Sequence, residues 1–79
     1  MTNGRIRVET RIDGETRAVG TIPQFDRMFY DQVPRDSAEA EIGGIKAKLN
    51  WKRGYGQVVS ILVDQRDVEK LKAIGFERP

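Results

Sequence analysis

The side chains in this sequence that could bind a ligand are lysines and arginines at alternating positions in two parts of the chain. Alternate residues of a strand point to the same side, so these cations would share one face of a sheet. Their ammonium and guanidinium groups bind carboxylates and phosphates. We expect partner binding by Arg5, Arg7, Arg11, Arg17, Lys46, Lys48 and Lys52, joined by Arg53 and Tyr55 in the turn that follows.

Aromatic residues beside these cations suggest a second kind of binding. Trp51 and Tyr55 flank Lys52 and Arg53, and Tyr30 lies in the segment that joins the two basic parts. Aromatic rings stack on exposed bases while neighbouring cations hold the phosphates. We therefore expect that these three aromatic residues could stack on a single-stranded nucleic acid.

The turn at residues 53–56 resembles a known signature. Its sequence, Arg-Gly-Tyr-Gly, resembles the opening of the RNA-recognition-motif signature, and Leu49-Asn50 before it resembles cold-shock domains. Gln57 and Ser60 depart from the pattern, because those signatures place aromatic residues there. The resemblance covers about ten residues and implies nucleic-acid binding, but the order of elements derived below matches neither fold.

Groups that could catalyse a reaction are scarce. The sequence has no histidine and no cysteine, which removes the commonest general base, the thiol nucleophile and the usual zinc ligands. Ser37 and Ser60 therefore have no histidine to activate them. We expect a protein that is not an enzyme and holds no metal or cofactor.

Length and composition favour one small domain. The 79 residues, 38% hydrophobic and 33% charged, are typical of a soluble globular domain spanning residues 1–79. No apolar run approaches the roughly 20 residues of a membrane span, and the first residues do not resemble a signal peptide. The lack of cysteine suits the cytoplasm. We expect a cytoplasmic protein that does not enter a membrane.

The sequence ETRIDGETR, residues 9–17, predicts a β-hairpin, because Asp-Gly between alternating segments is a strong turn signal. A two-residue turn would pair Ile12 with Glu15. A three-residue loop with Gly14 in the left-handed conformation pairs Arg11 with Glu15 and so brings opposite charges together. We favour the three-residue loop, which also leaves one continuous apolar face on the hairpin.

Four further elements follow. Phe25, Met28 and Phe29 at helical spacing predict a short helix over residues 23–33. Residues 38–52 predict a strand with a bulge at Gly43-Gly44, where the apolar positions change from even to odd. Residues 57–63 form a nearly continuous apolar strand, and residues 64–75 have the pattern of a capped helix.

This order predicts an α+β fold, with a small antiparallel four-stranded sheet in the arrangement ββ–short helix–ββ–helix. The C-terminal helix would pack on one face of the sheet, because an amphipathic sheet must bury its apolar side. The other face would then carry the lysines and arginines.

The function that we expect is that of a non-catalytic binding protein, which docks through this basic sheet face onto an acidic protein or a nucleoprotein complex. In size and style the chain resembles phage-encoded inhibitors of host defence, such as anti-CRISPR proteins, with which it shares no motif. The alternative is a single-stranded nucleic-acid-binding module that uses the Lys/Arg/Trp/Tyr hairpin. A third hypothesis is a structural or oligomer-forming subunit that buries Trp51, or the cluster of Phe25, Phe29 and Tyr30, between chains.

Overall fold

A computed structural model describes residues 5–23, 37–52 and 57–79. It contains one C-terminal helix, Gln65–Ile74, and five strands: β1 (Arg5–Ile12), β2 (Glu15–Pro23), β3 (Glu39–Ile42), β4 (Ile45–Lys52) and β5 (Gln57–Leu62). The strands form one sheet in the order β2-β1-β5-β4-β3. The α+β class predicted from the sequence is confirmed.

The sheet differs from the prediction in strand number and in direction. It has five strands instead of four, and β5 runs parallel to β1, with Arg7 opposite Ser60 and Glu9 opposite Leu62. All other neighbouring strands are antiparallel. The last strand is inserted between the two hairpins, a long-range pairing that no local sequence pattern specifies.

The extra strand arises at Gly43-Gly44, where we expected a bulge. Both glycines have positive φ, 61° and 82°, and Ile42 pairs directly with Ile45. This is a two-residue hairpin turn, which needs positive φ at both central positions and therefore favours glycine. The apolar positions change from even to odd because paired residues on either side of such a turn face the same way.

The first hairpin also has a two-residue turn, so the predicted three-residue loop is wrong. Asp13 and Gly14 have φ of 52° and 81°, and Ile12 pairs with Glu15. Aspartate tolerates the left-handed region, and this turn matches the natural twist of the strands. A bulge at Val19 then restores the alternation, so that Ile6 still lies opposite Ile22.

One face of the sheet packs against the helix and forms the core. Val8 of β1 pairs with Ile61 of β5, and both are completely buried, as is Leu71 of the helix. The buried apolar side chains form a single cluster: Ile6, Val8, Ile22, Ile42, Ile45, Ala47, Val58, Ile61, Val63, Val68, Leu71 and Phe76. This cluster fixes which side of each strand faces away from the helix.

The helix has 3₁₀ hydrogen bonding and is capped at both ends. The Asp64 side chain accepts a hydrogen bond from the Arg66 backbone N–H at 2.9 Å, as an N-cap does. At the other end, the backbone N–H of Gly75 donates a hydrogen bond to the Lys72 carbonyl, and the backbone N–H of Phe76 donates one to the Leu71 carbonyl. The caps therefore lie where the sequence pattern predicted them.

After the helix the chain returns to the outer edge of β2. Glu77 and Thr21 exchange two backbone hydrogen bonds of 2.9 Å, and the Phe76 ring lies over Gly20. The C-terminal residues thus cover part of an edge that would otherwise leave backbone groups unpaired.

Pro23, where the predicted short helix begins, is the last residue of β2. The rest of that predicted helix lies outside the described residues. Within the ranges that the structure describes, no helix is long and apolar enough to cross a membrane.

Substitution of Gly20 by alanine tests the packing of the C-terminal residues on β2. A Cβ at this position would lie 2.6 Å from Cε1 of Phe76, so we expect overpacking to lower the free energy of unfolding by about 1–3 kcal/mol. Urea unfolding followed by circular dichroism measures the loss. Ala18→Ser, at an exposed site on the same strand, serves as the control and should change stability by less than about 0.5 kcal/mol. Equal stabilities would contradict the close approach.

The N-cap makes stability depend on pH. Hydrogen bonds from the backbone and side chain of Arg66 hold the pKa of Asp64 below its usual range. A carboxylate with a lowered pKa stabilises the fold at neutral pH, and that contribution is lost as pH falls through the folded-state pKa. We expect Asp64→Asn, which still caps but does not titrate, to give a flatter stability profile between about pH 5 and pH 3. Identical profiles from urea unfolding of the two proteins would contradict this.

Candidate functional site

The face of the sheet opposite the helix carries most of the predicted binding residues. Residues that pair across strands share a side, and the row Glu9–Leu62–Lys48–Glu39 defines this face across four strands. We call it the basic face. Among the described residues, six cations outnumber three carboxylates there: Arg5, Arg7, Arg11, Lys46, Lys48 and Lys52 against Glu9, Glu39 and Glu41.

Arg17 does not belong to the basic face, contrary to the sequence-based expectation. It lies opposite Thr10, which is buried on the helix side. Its guanidinium is 2.8 Å from the carboxylate of Glu15. The two-residue turn shifts the register by one residue relative to the predicted loop, and such a shift turns a side chain to the other face.

The predicted stacking residues do not gather on the basic face in the described part of the chain. Trp51 lies opposite Val58, on the side of the sheet that contacts the core. Its indole Nε1–H donates a 2.7 Å hydrogen bond to the Ser37 carbonyl. Arg53, Tyr55 and Tyr30 lie outside the described residues, so their predicted roles stay predictions.

Two arginines of the basic face are engaged in contacts within the fold. Arg5 donates to the Thr21 hydroxyl at 2.7 Å and to the Gly75 carbonyl at 3.0 Å, and it lies 3.6 Å from the Glu77 carboxylate. These contacts hold the C-terminal residues against β2. Arg7 forms an ion pair of 3.2 Å with Glu9. Both cations are therefore partly neutralised.

Three cations of the basic face lack such neutralisation: Arg11, Lys46 and Lys48. Among the described residues, the Arg11 guanidinium hydrogen-bonds to uncharged oxygens, the Gly14 carbonyl at 2.6 Å and the Thr16 hydroxyl at 3.3 Å. Lys46 and Lys48 are exposed, and although each stands opposite a glutamate of β3 in register, Glu41 and Glu39 respectively, neither forms an ion pair with any described residue. Their positive charges are available to a ligand.

These three cations line one groove of about 550 Å³ at the end of the sheet. The groove exists because β5 leaves the sheet early. β5 pairs with β1 only as far as Glu9 and with β4 only from Lys48 onward, and the chain then turns into the helix. The ends of β1 and β4 are left facing each other across the space.

The departure of β5 is fixed by Thr10, a residue to which the sequence analysis gave no role. Its hydroxyl donates a 2.9 Å hydrogen bond to the Val63 carbonyl, and the Val63 backbone N–H donates to the Glu9 carbonyl at 3.0 Å. The Thr10 side chain is 1% exposed. A threonine in the middle of an otherwise apolar face was the available signal, since a buried hydroxyl needs a partner.

The carboxylates at the groove have mostly other partners. Asp64 contacts the Arg66 side chain at 3.3 Å and Asp67 lies 3.4 Å from the Lys70 ammonium. Glu39, on β3, stands opposite Lys48 in register without forming an ion pair. The groove thus offers cations on its two strand walls, while the acidic groups at the helix start are neutralised by their own helix.

No protein-family model, curated protein or solved structure matches the chain. In the described ranges, no group of three or more acidic residues is arranged to hold a metal ion.

Replacement of Thr10 by valine tests what holds β5 at the groove. Valine keeps the shape but leaves the buried Val63 carbonyl without its donor, so we expect the free energy of unfolding to fall by about 1–3 kcal/mol. The exposed Thr16→Val on the neighbouring strand is the control, with an expected change below about 0.5 kcal/mol. Chemical denaturation of both variants measures the difference, and equal effects would contradict the role of the Thr10 hydroxyl.

Proposed function

We propose that this protein is a non-catalytic binding protein that docks through its basic face onto an acidic protein or a nucleoprotein complex. The observation that carries the proposal is the set of three cations without a described carboxylate partner, Arg11, Lys46 and Lys48, which line the same groove. Elsewhere on the described surface, cations such as Lys70 and Lys72 are already paired with acidic neighbours.

Unpaired cations favour association more than stability. They contribute nothing to the fold through an ion pair, and like charges in proximity repel. An acidic partner removes this repulsion and is attracted at long range, so that the charge pattern sets the association rate and the choice of partner. This makes the groove the part of the basic face where docking is most favoured.

A single-stranded nucleic acid is the second candidate, because Lys46, Lys48 and Lys52 lie on one side of β4, with Asn50 between the last two. Such a row can follow a phosphate backbone. The three carboxylates interleaved with the cations weaken this candidate. A phosphate backbone carries a charge at every nucleotide, whereas a protein can place neutral or basic groups opposite Glu9, Glu39 and Glu41. We therefore rank the acidic protein first.

Titration with two model polyanions tests the proposal. We expect poly-glutamate to shift the amide resonances of the basic face, and to shift them less at about 200 mM than at 50 mM salt, because screening weakens exposed ion pairs. A mixed-sequence single-stranded oligonucleotide is the comparison ligand. Tighter binding of the oligonucleotide would favour the second candidate, and no response to either polyanion would contradict docking through this face.

Charge-matched variants locate the binding surface. The variant Lys46→Gln/Lys48→Gln loses two exposed ion pairs with poly-glutamate. Each pair contributes about 0.5 kcal/mol, so binding should weaken about fivefold. The control, Lys72→Gln/Arg78→Gln, removes the same charge away from the groove, from two cations that are already paired with Glu69. Equal losses in the two double variants would show that net charge alone governs binding.

A further inference from the structure

We infer that the groove between the ends of β1 and β4 binds an extended acidic peptide segment whose carboxylates occupy alternate positions. This inference rests on the proposed function and specifies the form of the acidic partner. It follows from the width of the groove, the spacing of its cations and the placement of its acidic residues.

The groove has the width of one strand. Arg11 and Lys46 each lie two residues beyond the last pair that their strands make with β5. Neighbouring strands are about 4.8 Å apart, so the two strands flanking β5 are separated by about 10 Å. An extended segment that continues past Leu62, which pairs with Lys48 at the inner end of this space, lies between Arg11 on one side and Lys46 on the other.

The spacing of the lysines matches that of an extended peptide. Lys46 and Lys48 lie on the same side of β4, two residues apart, which corresponds to about 6.8 Å. Carboxylates at positions i and i+2 of an extended segment have the same spacing and also point to one side. Lys48 and Lys46 can therefore each reach a carboxylate placed diagonally, one alternate position further out, and adjacent carboxylates cannot both face this wall.

Of the three carboxylates that line the groove, Glu39 has no ion-pair partner among the described residues and therefore disfavours a uniformly charged ligand. Glu39 lies opposite Lys48 on β3, so additional negative charge near Lys48 is limited. Leu62 of β5 is half-buried between Glu9 and Lys48 and supplies an apolar contact. A segment in which carboxylates alternate with uncharged residues suits this wall better than a phosphate backbone.

Two peptides of equal charge test the inference. The alternating peptide is acetyl-Thr-Glu-Thr-Glu-Thr-amide, and its control, acetyl-Thr-Glu-Glu-Thr-Thr-amide, has the two carboxylates on neighbouring residues. We expect the alternating peptide to shift the amide resonances of Arg11, Lys46, Lys48 and Leu62, and to bind about threefold more tightly than the control, because only it places both carboxylates near the lysines. Lys46→Gln/Lys48→Gln should abolish this preference, whereas Lys72→Gln/Arg78→Gln, which removes two cations paired with Glu69, should retain it.

The outcomes separate this inference from the proposed function. If poly-glutamate shifts other parts of the basic face and neither peptide shifts the groove, the groove assignment is wrong and docking through the face stands. Equal affinities for the two peptides would overturn the alternating register. Stronger shifts at the groove from the oligonucleotide than from the peptide would overturn the peptide in favour of a phosphate ligand. If no polyanion binds, both the inference and the proposed function fall.

Discussion

The parallel pairing of β1 with β5 joins two halves that would otherwise be separate hairpins. It brings Val8 against Ile61 at the centre of the core, where both are completely buried. The hydrogen bond from the Thr10 hydroxyl to the Val63 carbonyl lies where the pairing of β1 with β5 ends. Beyond that point the chain turns into the helix that covers the core. The short parallel pairing of β1 with β5 therefore completes the core, and the groove between β1 and β4 begins where this pairing ends.

The charges of the basic face divide according to what they do in the fold. Arg5 holds the C-terminal residues against β2 and Arg7 pairs with Glu9. At the groove, Arg11 hydrogen-bonds to uncharged groups of its own hairpin, and Lys46 and Lys48 form no ion pair with a described residue. Because an exposed ion pair contributes little to stability, unpaired lysines cost the fold little while they increase attraction for an acidic partner. This division links the early departure of β5 to the function that we propose.

The sequence indicated the local features well and the long-range ones poorly. Asp64 as N-cap and the alternation of Lys46 with apolar neighbours follow from local chemistry, and both are present. The position of β5 beside β1 depends on contacts between distant residues, so alternation alone could not determine it. Arg17 illustrates the limit within a hairpin, since a one-residue difference in the turn moved it to the other face. The groove was not predictable, because it depends on which strand ends first.

A double-mutant cycle between Lys48 and the first glutamate of the alternating peptide tests the central claim most directly. The four affinities come from the wild-type protein and Lys48→Gln, each with the original peptide and with glutamine at that position. If the lysine faces this carboxylate, the two changes are coupled by about 0.5 kcal/mol at low salt, the size of an exposed ion pair. A second cycle replaces Lys46 by glutamine and uses the same two peptides. If the effects are additive in both cycles, the result contradicts the binding of an acidic segment in the groove.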